Sequence, residues 1–256
     1  MTALQFFKYQ GTGNDFIMMD NRDGNIQLTL AQIQRLCDRK FGIGSDGLIL
    51  IETTPKADFH MNFFNPDGSK SFCGNGSRCA VRFAQQLGIV GNEGRFLAID
   101  GLHNFKSDNE AVHIHMRDVE NAQMSNGHYI INTGSPHYII YVEDVAQLDI
   151  VSQGRAIRYN DTFKAEGINV NFVQETAEGL KIRTYERGVE DETLSCGTGV
   201  TAAALSYHMR HPEASELTVN ARGGQLFVKW NYIDKRYTDI YLCGPAERVF
   251  EGKIYV

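Results

Sequence analysis

A chain of 256 residues is long enough for one large domain or two of ordinary size. Its 42% hydrophobic and 22% charged residues are those of a globular protein, and no apolar run approaches the roughly 18 residues that a membrane helix needs. A formal net charge of −6 gives no basic face for nucleic acid. The five cysteines are an odd number and contain no CxxC, which argues against a disulfide framework and against a ribbon or finger zinc site. The N-terminus MTALQFFKYQ lacks the basic and apolar regions of a signal peptide, so the expectation is a cytoplasmic protein with reduced thiols.

In chain order, Leu4 to Tyr9 and Asp15 to Met19 read as strands around the turn Gly11-Thr12-Gly13-Asn14, which brings Asn14 close to any neighbouring ligand. This is not a dinucleotide fingerprint, because the GxGxxG spacing is absent and no helix follows. Thr29 to Gln32 fits a capping box, and Leu30, Ile33, Leu36 and Cys37 mark one apolar face of a helix ending near Gly42. The run Gly42 to Gly47 then leads into a strand, Leu48 to Ile51. Such a loop serves equally as a lid or as a turn. Asp58 to Phe64 reads as a strand and Asn65-Pro66-Asp67-Gly68 as a turn, in which Asn65 is at least the initiator.

Ser71 to Leu87 opens with Cys73-Gly74-Asn75-Gly76, and nearly half a chain later Leu194 to His208 opens with Cys196-Gly197-Thr198-Gly199. Two copies of Cys, Gly, polar, Gly followed by a helical apolar pattern point to a duplicated unit with one thiol at each helix N-terminus. Such an end binds anions and favours a thiolate, so the pair can supply a base and an acid. A single such motif would be read just as well as a small buried residue before a tight turn. Packing alone gives no reason for the repeat in register.

Strands are predicted at Arg95 to Asp100 and Ala111 to Arg117, where His113 and His115 share one face by period two. They are read as a solvated row, and no metal site is assigned. The polar run Asp118 to Gly127 is the candidate boundary between halves. Further strands are predicted at Tyr129 to Ile131 and Tyr138 to Val142. The proline between them fixes the turn before His137, a ring that is either aimed at a site or structural. Asn169 to Val173 and Lys181 to Tyr185 follow, the latter running into Glu186 and Arg187, which face opposite ways if the chain stays extended. The remaining strands are expected at Glu216 to Asn220, Gln225 to Trp230, Arg236 to Leu242 and Arg248 to Val256. Cys243 between them reads as structural.

Taken together, GTGNDF, NPDGS, CGNGSRC, SPH, INVNF, YERG and ETLSCGTGV resemble the diaminopimelate epimerase family along essentially the whole chain. The resemblance implies an α+β fold of two pseudo-symmetric domains, each a curved, mostly antiparallel sheet or barrel wrapped around a central helix, with the active site in the interdomain cleft. The first domain would be 1–117 plus 246–256 and the second 118–245, the C-terminal strand returning to the first. It implies a cofactor-independent isomerase that interconverts LL- and meso-diaminopimelate for lysine and peptidoglycan precursors. Carried over by motif, the catalytic thiols are Cys73 and Cys196, assisted by His137 and Glu186. The substrate contacts are Asn14, Asn65, Gly74, Asn75, Asn169, Glu186, Arg187, Gly197 and Thr198. The resemblance also implies a homodimer with Phe250 near the contact, and no nucleic-acid or membrane partner. Two positions depart from the family pattern: Ser135 stands where an Asn usually precedes Pro-His, and Gly47 where some members carry Gln. Both bear on the far end of the substrate.

The runner-up is another thiol-pair racemase, such as a proline or hydroxyproline enzyme. Arg187 with Asn65 and Asn169 favours the longer, doubly charged substrate. A binding protein that grips an anion at its helix ends is the reading from a different class, and it predicts binding without turnover.

Overall fold

The computed structural model describes residues 3–125 and 127–255. The chain forms two compact units, Met1–Ile114 with Gly244–Val256, and His115–Cys243. These limits lie a few residues from the expected boundaries at 117/118 and 245/246, and the first of them precedes the polar run Asp118 to Gly127 read as the candidate boundary.

In the first unit Ala3–Gly11 and Asn14–Asp20 form an antiparallel hairpin. Its two loop residues, Thr12 and Gly13, both have positive φ, 50° and 86°, as the primed turns of tight hairpins require. Helix α1, Leu30–Cys37, then crosses to Gly47–Glu52, which runs parallel to Asn14–Asp20. The capping box at Thr29 and Gln32 is present. The helix stops at Cys37 and not near Gly42, because Asp38 takes an extended conformation and its carboxylate accepts from the N–H groups of Lys40 and Phe41. Ile33, Leu36 and Cys37 enter the core, whereas Leu30 lies outside it, 56% exposed.

Phe59–Phe64 returns antiparallel to Gly47–Glu52. Helix α2, Gly74–Gln86, follows, and its burial extends round the first turns from Gly74 to Val81. It packs on Ala3–Gly11, Asn14–Asp20, Gly47–Glu52 and Phe59–Phe64, and a helix so enclosed is the centre of its unit. Glu93–Ala98 and Gly101–Ser107 make a further hairpin, joined by Ile99 and Asp100, so the expected strand to Asp100 ends earlier and a new strand begins at Gly101. Val112–His115 adds to that edge. The C-terminal strand, Glu247–Tyr255, pairs antiparallel with Ala3–Gly11 and so returns to the first unit; Val256, the last residue of the predicted strand, lies outside the described residues.

The second unit repeats the scheme. His128–Asn132 and Pro136–Tyr141 form the opening hairpin, with the short strand Gln123–Ser125 beside it. Helix α3, Ile150–Arg158, crosses to Asn169–Thr176, which is parallel to Pro136–Tyr141. Gly179–Glu186 returns antiparallel, helix α4, Gly197–Arg210, follows, and Glu216–Ala221 with Gly224–Ile233 close the pattern beside Arg236–Gly244. Hairpin, helix, parallel step, hairpin, central helix and hairpin thus occur in the same order in both units. Like α2, α4 is almost entirely enclosed, from Gly197 to Ser206 apart from Thr198.

Helix α3 is not predicted from the sequence. Its cap is regular, Asp149 accepting from the Ser152 N–H at 3.1 Å. Its interior, however, holds Gly154, a poor helix former whose presence has a packing cause. A Cβ built there would stand 2.4 Å from the Tyr185 Cβ, so the glycine lets α3 lie directly on Gly179–Glu186.

Candidate active site

Cys73 is the N-cap residue of α2 and Cys196 that of α4. Each has extended backbone, with φ −132° and ψ 110° at Cys73 and φ −120° and ψ 109° at Cys196. The thiol of each therefore stands at the mouth of a helix whose first N–H groups lack intrahelical acceptors. The Cys73 sulfur accepts from the Gly76 N–H at 3.4 Å, while the Cys196 sulfur lies 3.4 Å from the Thr198 hydroxyl. Cys73 is half-buried and Cys196 is 8% exposed.

The glycines admit close neighbours. At Gly76 an added Cβ would meet the flexible ends of Ile49, Met61 and Phe16 at 3.2 to 3.4 Å. At the equivalent Gly199 it would stand 2.5 Å from the Asn171 Oδ1 and 3.2 Å from the His137 ring. Side chains from Pro136–Tyr141 and Asn169–Thr176 thus reach the backbone of α4 only because position 199 has no side chain.

Around Cys73, Asn75 Nδ2 donates to Asn14 Oδ1, and Asn14 Nδ2 donates to Asp46 Oδ2 at 3.0 Å. Asp46 and Asp15 share Arg39, and Asp15 also pairs with the buried Lys8 at 2.7 Å. Lys8 Nζ donates to the Gly44 carbonyl as well. The loop from Gly42 to Gly47 is therefore pinned to the first hairpin and supports Asn14 from behind. Burial raises the Asp15 pKa, but the hydrogen bonds and charges of Arg39 and Lys8 outweigh it and pull the group down to about 2. Arg78, fully buried in α2, donates to Thr12 Oγ1 at 3.0 Å and to the Pro245 carbonyl at 3.2 Å, so it holds the turn that presents Asn14.

Asn65 initiates the expected turn, with the Gly68 N–H on its carbonyl at 2.9 Å. Its side-chain amide donates to Ser69 and Ser71 hydroxyls at 3.0 and 3.2 Å. Gly47 leaves no space for a side chain, since a Cβ would lie 2.3 Å from the Phe63 ring. Cys37, Cys79 and Cys243 are buried core residues, and burial holds the Cys37 and Cys79 thiols above their ordinary pKa.

In the second unit Asn169 is buried, with Nδ2 on the Ser135 hydroxyl at 2.8 Å and on the Pro136 carbonyl at 3.0 Å. Its Oδ1 accepts from the Arg187 N–H at 2.9 Å. Ser135 thus holds Asn169, and Asn169 holds the start of the loop carrying Arg187. The strand ends at Glu186. Gly188, with φ 94°, bends the chain beyond it, leaving the Arg187 side chain exposed with Nη1 on the Glu166 carbonyl at 3.0 Å. Glu186 accepts from the Thr193 hydroxyl at 2.8 Å.

His137 is completely buried. Burial, and to a smaller extent the charge of Arg187, push it down to about 3 against an opposing Asn171 hydrogen bond, so the ring is neutral. It lies 2.9 Å from the Thr198 hydroxyl, which in turn lies 3.4 Å from the Cys196 sulfur. Sequence reasoning did not single out Asn171. The one available signal was a second asparagine inside the otherwise apolar strand INVNF.

Among the described residues no group of three or more His, Cys, Asp or Glu side chains could hold a metal ion, and no helix is long and apolar enough to cross a membrane. His113 pairs with Asp108 at 3.1 Å, and His115 lies against the Tyr241 ring.

The family model for diaminopimelate epimerase matches residues 6–122 and 129–249. A diaminopimelate epimerase of Flavobacterium psychrophilum is 46% identical over 259 residues, covering 98% of this chain and 100% of the relative. Among solved structures, a PhzF-family phenazine biosynthesis protein of Bacillus anthracis superposes with a TM-score of 0.76 at 14% identity, covering all of both chains. A hydroxyproline epimerase of Agrobacterium vitis does so with a TM-score of 0.71 at 13% identity, covering 98% of this chain and 92% of that one. The structural neighbours share the fold, whereas the family match and the sequence identity reach across both thiol motifs, and on those two findings the chain belongs to the diaminopimelate epimerase family.

Proposed function

We propose that this chain interconverts LL- and meso-2,6-diaminopimelate without a cofactor, with Cys73 and Cys196 acting on opposite faces of one α-carbon. Inversion requires a base that removes the α-proton on one face and an acid that supplies a proton on the other. A thiolate and a thiol fit those roles. One sulfur enters as thiolate and leaves protonated, the other does the reverse, and proton exchange with solvent resets the pair. The observation that carries the reading is the repetition of one thiol environment, a cysteine N-cap with the same backbone angles at the start of a buried helix in each unit.

As the α-proton leaves, negative charge develops on the substrate carboxylate. Main-chain N–H groups of Gly74, Asn75, Gly197 and Thr198, in the first turns of α2 and α4, are the donors suited to receive it. The distal amino-carboxylate end would be held by Arg187 with Asn14, Asn65 and Asn169, while Glu186 and His137 assist the thiols. The family match supports placing the reaction in lysine and peptidoglycan precursor synthesis, and a cytoplasmic setting is proposed with it.

The working form is proposed as a homodimer. Phe250 is 47% exposed on Glu247–Tyr255 and packs edge-on against Phe6 at 5.9 Å. An exposed aromatic ring on this strand suits a contact with a second copy of the chain.

The test is substrate choice. LL-diaminopimelate and trans-4-hydroxy-L-proline are offered separately and the configuration of the α-carbon is followed. Conversion of diaminopimelate alone is expected. Conversion of hydroxyproline alone would move the chain to the rival thiol-pair racemases, and binding without turnover of either would reduce it to an anion-binding protein.

A further inference from the structure

Asn171 lies in Asn169–Thr176, opposite Thr184 on the returning strand, with no exposed surface. Its side-chain orientation is decided by its neighbours. The Nδ2 lies 3.2 Å from the Tyr138 carbonyl and 3.5 Å from the Asn169 carbonyl, both of which only accept, so the NH2 group must be on that side. The opposite oxygen accepts from the Thr184 hydroxyl at 2.9 Å. The same NH2 group lies 3.1 Å from His137 Nδ1. An amide nitrogen has no acceptor capacity, so His137 Nδ1 must carry a lone pair and the single ring proton must be on Nε2.

The consequence passes outward. His137 Nε2–H donates to Thr198 Oγ1 at 2.9 Å, which occupies the hydroxyl as an acceptor there and leaves its own proton to be placed elsewhere. The Cys196 sulfur stands 3.4 Å away. The Thr198 carbonyl is itself fixed by the Thr133 hydroxyl at 2.8 Å, so the residue cannot turn without breaking a second bond. We propose that Asn171 is a positioning residue for the reaction: it holds His137 as the Nε2–H tautomer, which turns the Thr198 hydroxyl proton toward the Cys196 sulfur. The inference rests on the reading that Cys196 is a reacting thiol.

In this arrangement His137 is a donor and takes no proton from Cys196. The Thr198 hydroxyl stabilises the sulfur most when it is a thiolate, because a hydrogen bond to an ionised partner is about twice as strong as a neutral one. It follows that Thr198 serves the substrate carboxylate through its main-chain N–H, its hydroxyl being engaged with the sulfur. Gly199 is part of the same device, since any side chain there would displace both Asn171 and His137.

The wild-type enzyme decides first, labelled with 15N-histidine, the His137 signal being identified by its loss in His137→Asn. Long-range proton–nitrogen spectra at neutral pH should show a pyridine-type Nδ1 and a pyrrole-type Nε2. A pyrrole-type Nδ1, or a doubly protonated ring, would overturn the proposal whatever the enzyme's substrate proves to be.

Asn171→Asp supplies the second readout, because a carboxylate of the same shape accepts at Nδ1 and should draw the ring proton there. The expected result is a tautomer change with kcat lowered roughly ten- to hundredfold and KM held within about twofold. Slower alkylation of Cys196 by iodoacetamide should accompany it. A variant with the Nδ1–H form but wild-type kcat and alkylation would show that the tautomer has no bearing on the thiol. Should this variant fail to fold, the wild-type spectrum alone confirms or overturns the Nε2–H tautomer.

Discussion

Cys73 and Cys196 hold the same place in two different helices, as N-cap residues whose φ angles differ by about a dozen degrees and whose ψ angles are 110° and 109°. The Cys73 sulfur takes a main-chain N–H from Gly76 at 3.4 Å, and the Cys196 sulfur lies 3.4 Å from the Thr198 hydroxyl.

Cys73→Ala and Cys196→Ala should each lower epimerase turnover by roughly 10²- to 10⁴-fold, the contribution of a positioned acid or base. Each replaces a sulfur by hydrogen at a helix mouth, so unfolding free energies in urea should stay within about 1 kcal/mol of wild type. Near-normal turnover in either variant would remove that thiol from the chemistry.

Gly199→Ala should be far more harmful than Gly76→Ala. At 199 the new methyl meets the Asn171 amide at 2.5 Å and the buried His137 ring, neither of which can retreat without losing hydrogen bonds. At 76 it meets flexible side-chain ends at 3.2 Å or more. A loss of roughly 1 to 3 kcal/mol is expected at 199, the range for overpacking, against a smaller one at 76. Equal losses in urea denaturation would contradict this reading of the two glycines.

Stability should depend on Asp15 in acid. Its pKa is about 2 in the folded protein against an ordinary 3.8, so the unfolded chain binds more protons between these values. The stabilisation is fully present above about pH 5 and is lost as pH falls through the folded pKa. It amounts to about 2 kcal/mol. Wild type should exceed Asp15→Asn by that amount near neutrality, and the gap should close toward pH 2. A gap independent of pH would show that the Lys8 and Arg39 pairs contribute nothing through ionisation.

These features were legible in the sequence to different degrees. The capping box at Thr29, the Asn65 turn and the paired thiol motifs rest on local chemistry, and local chemistry is what a sequence displays. Gly101–Ser107 was hidden because its inward face is His103, Phe105 and Ser107 while Leu102 points outward, which inverts the usual alternation. Helix α3 was hidden by Gly154, whose reason for being there is Tyr185, distant in sequence. Asn171 depends on four partners from two other strands and the adjoining backbone, and no spacing reports that kind of contact.

Phe250→Glu should yield monomers by light scattering if the exposed Phe250 ring on Glu247–Tyr255 lies in the dimer contact. Burying a ring of this size is worth roughly 1.5 to 3 kcal/mol, and a buried carboxylate there adds a further cost. A dimer of unchanged stability would place the contact elsewhere, and a wild-type monomer would remove it.

Solvent hydrogen exchange tests the two-thiol mechanism most directly. LL-diaminopimelate is incubated with the enzyme in D2O, and deuterium at the α-carbon is measured separately in recovered substrate and in product during the first few per cent of reaction. With one thiol on each face, the meso product should carry solvent deuterium while the recovered LL substrate stays protiated. Product that retains the substrate's own hydrogen, or deuterium appearing equally fast in recovered substrate, would mean that a single group serves both faces and would contradict the account.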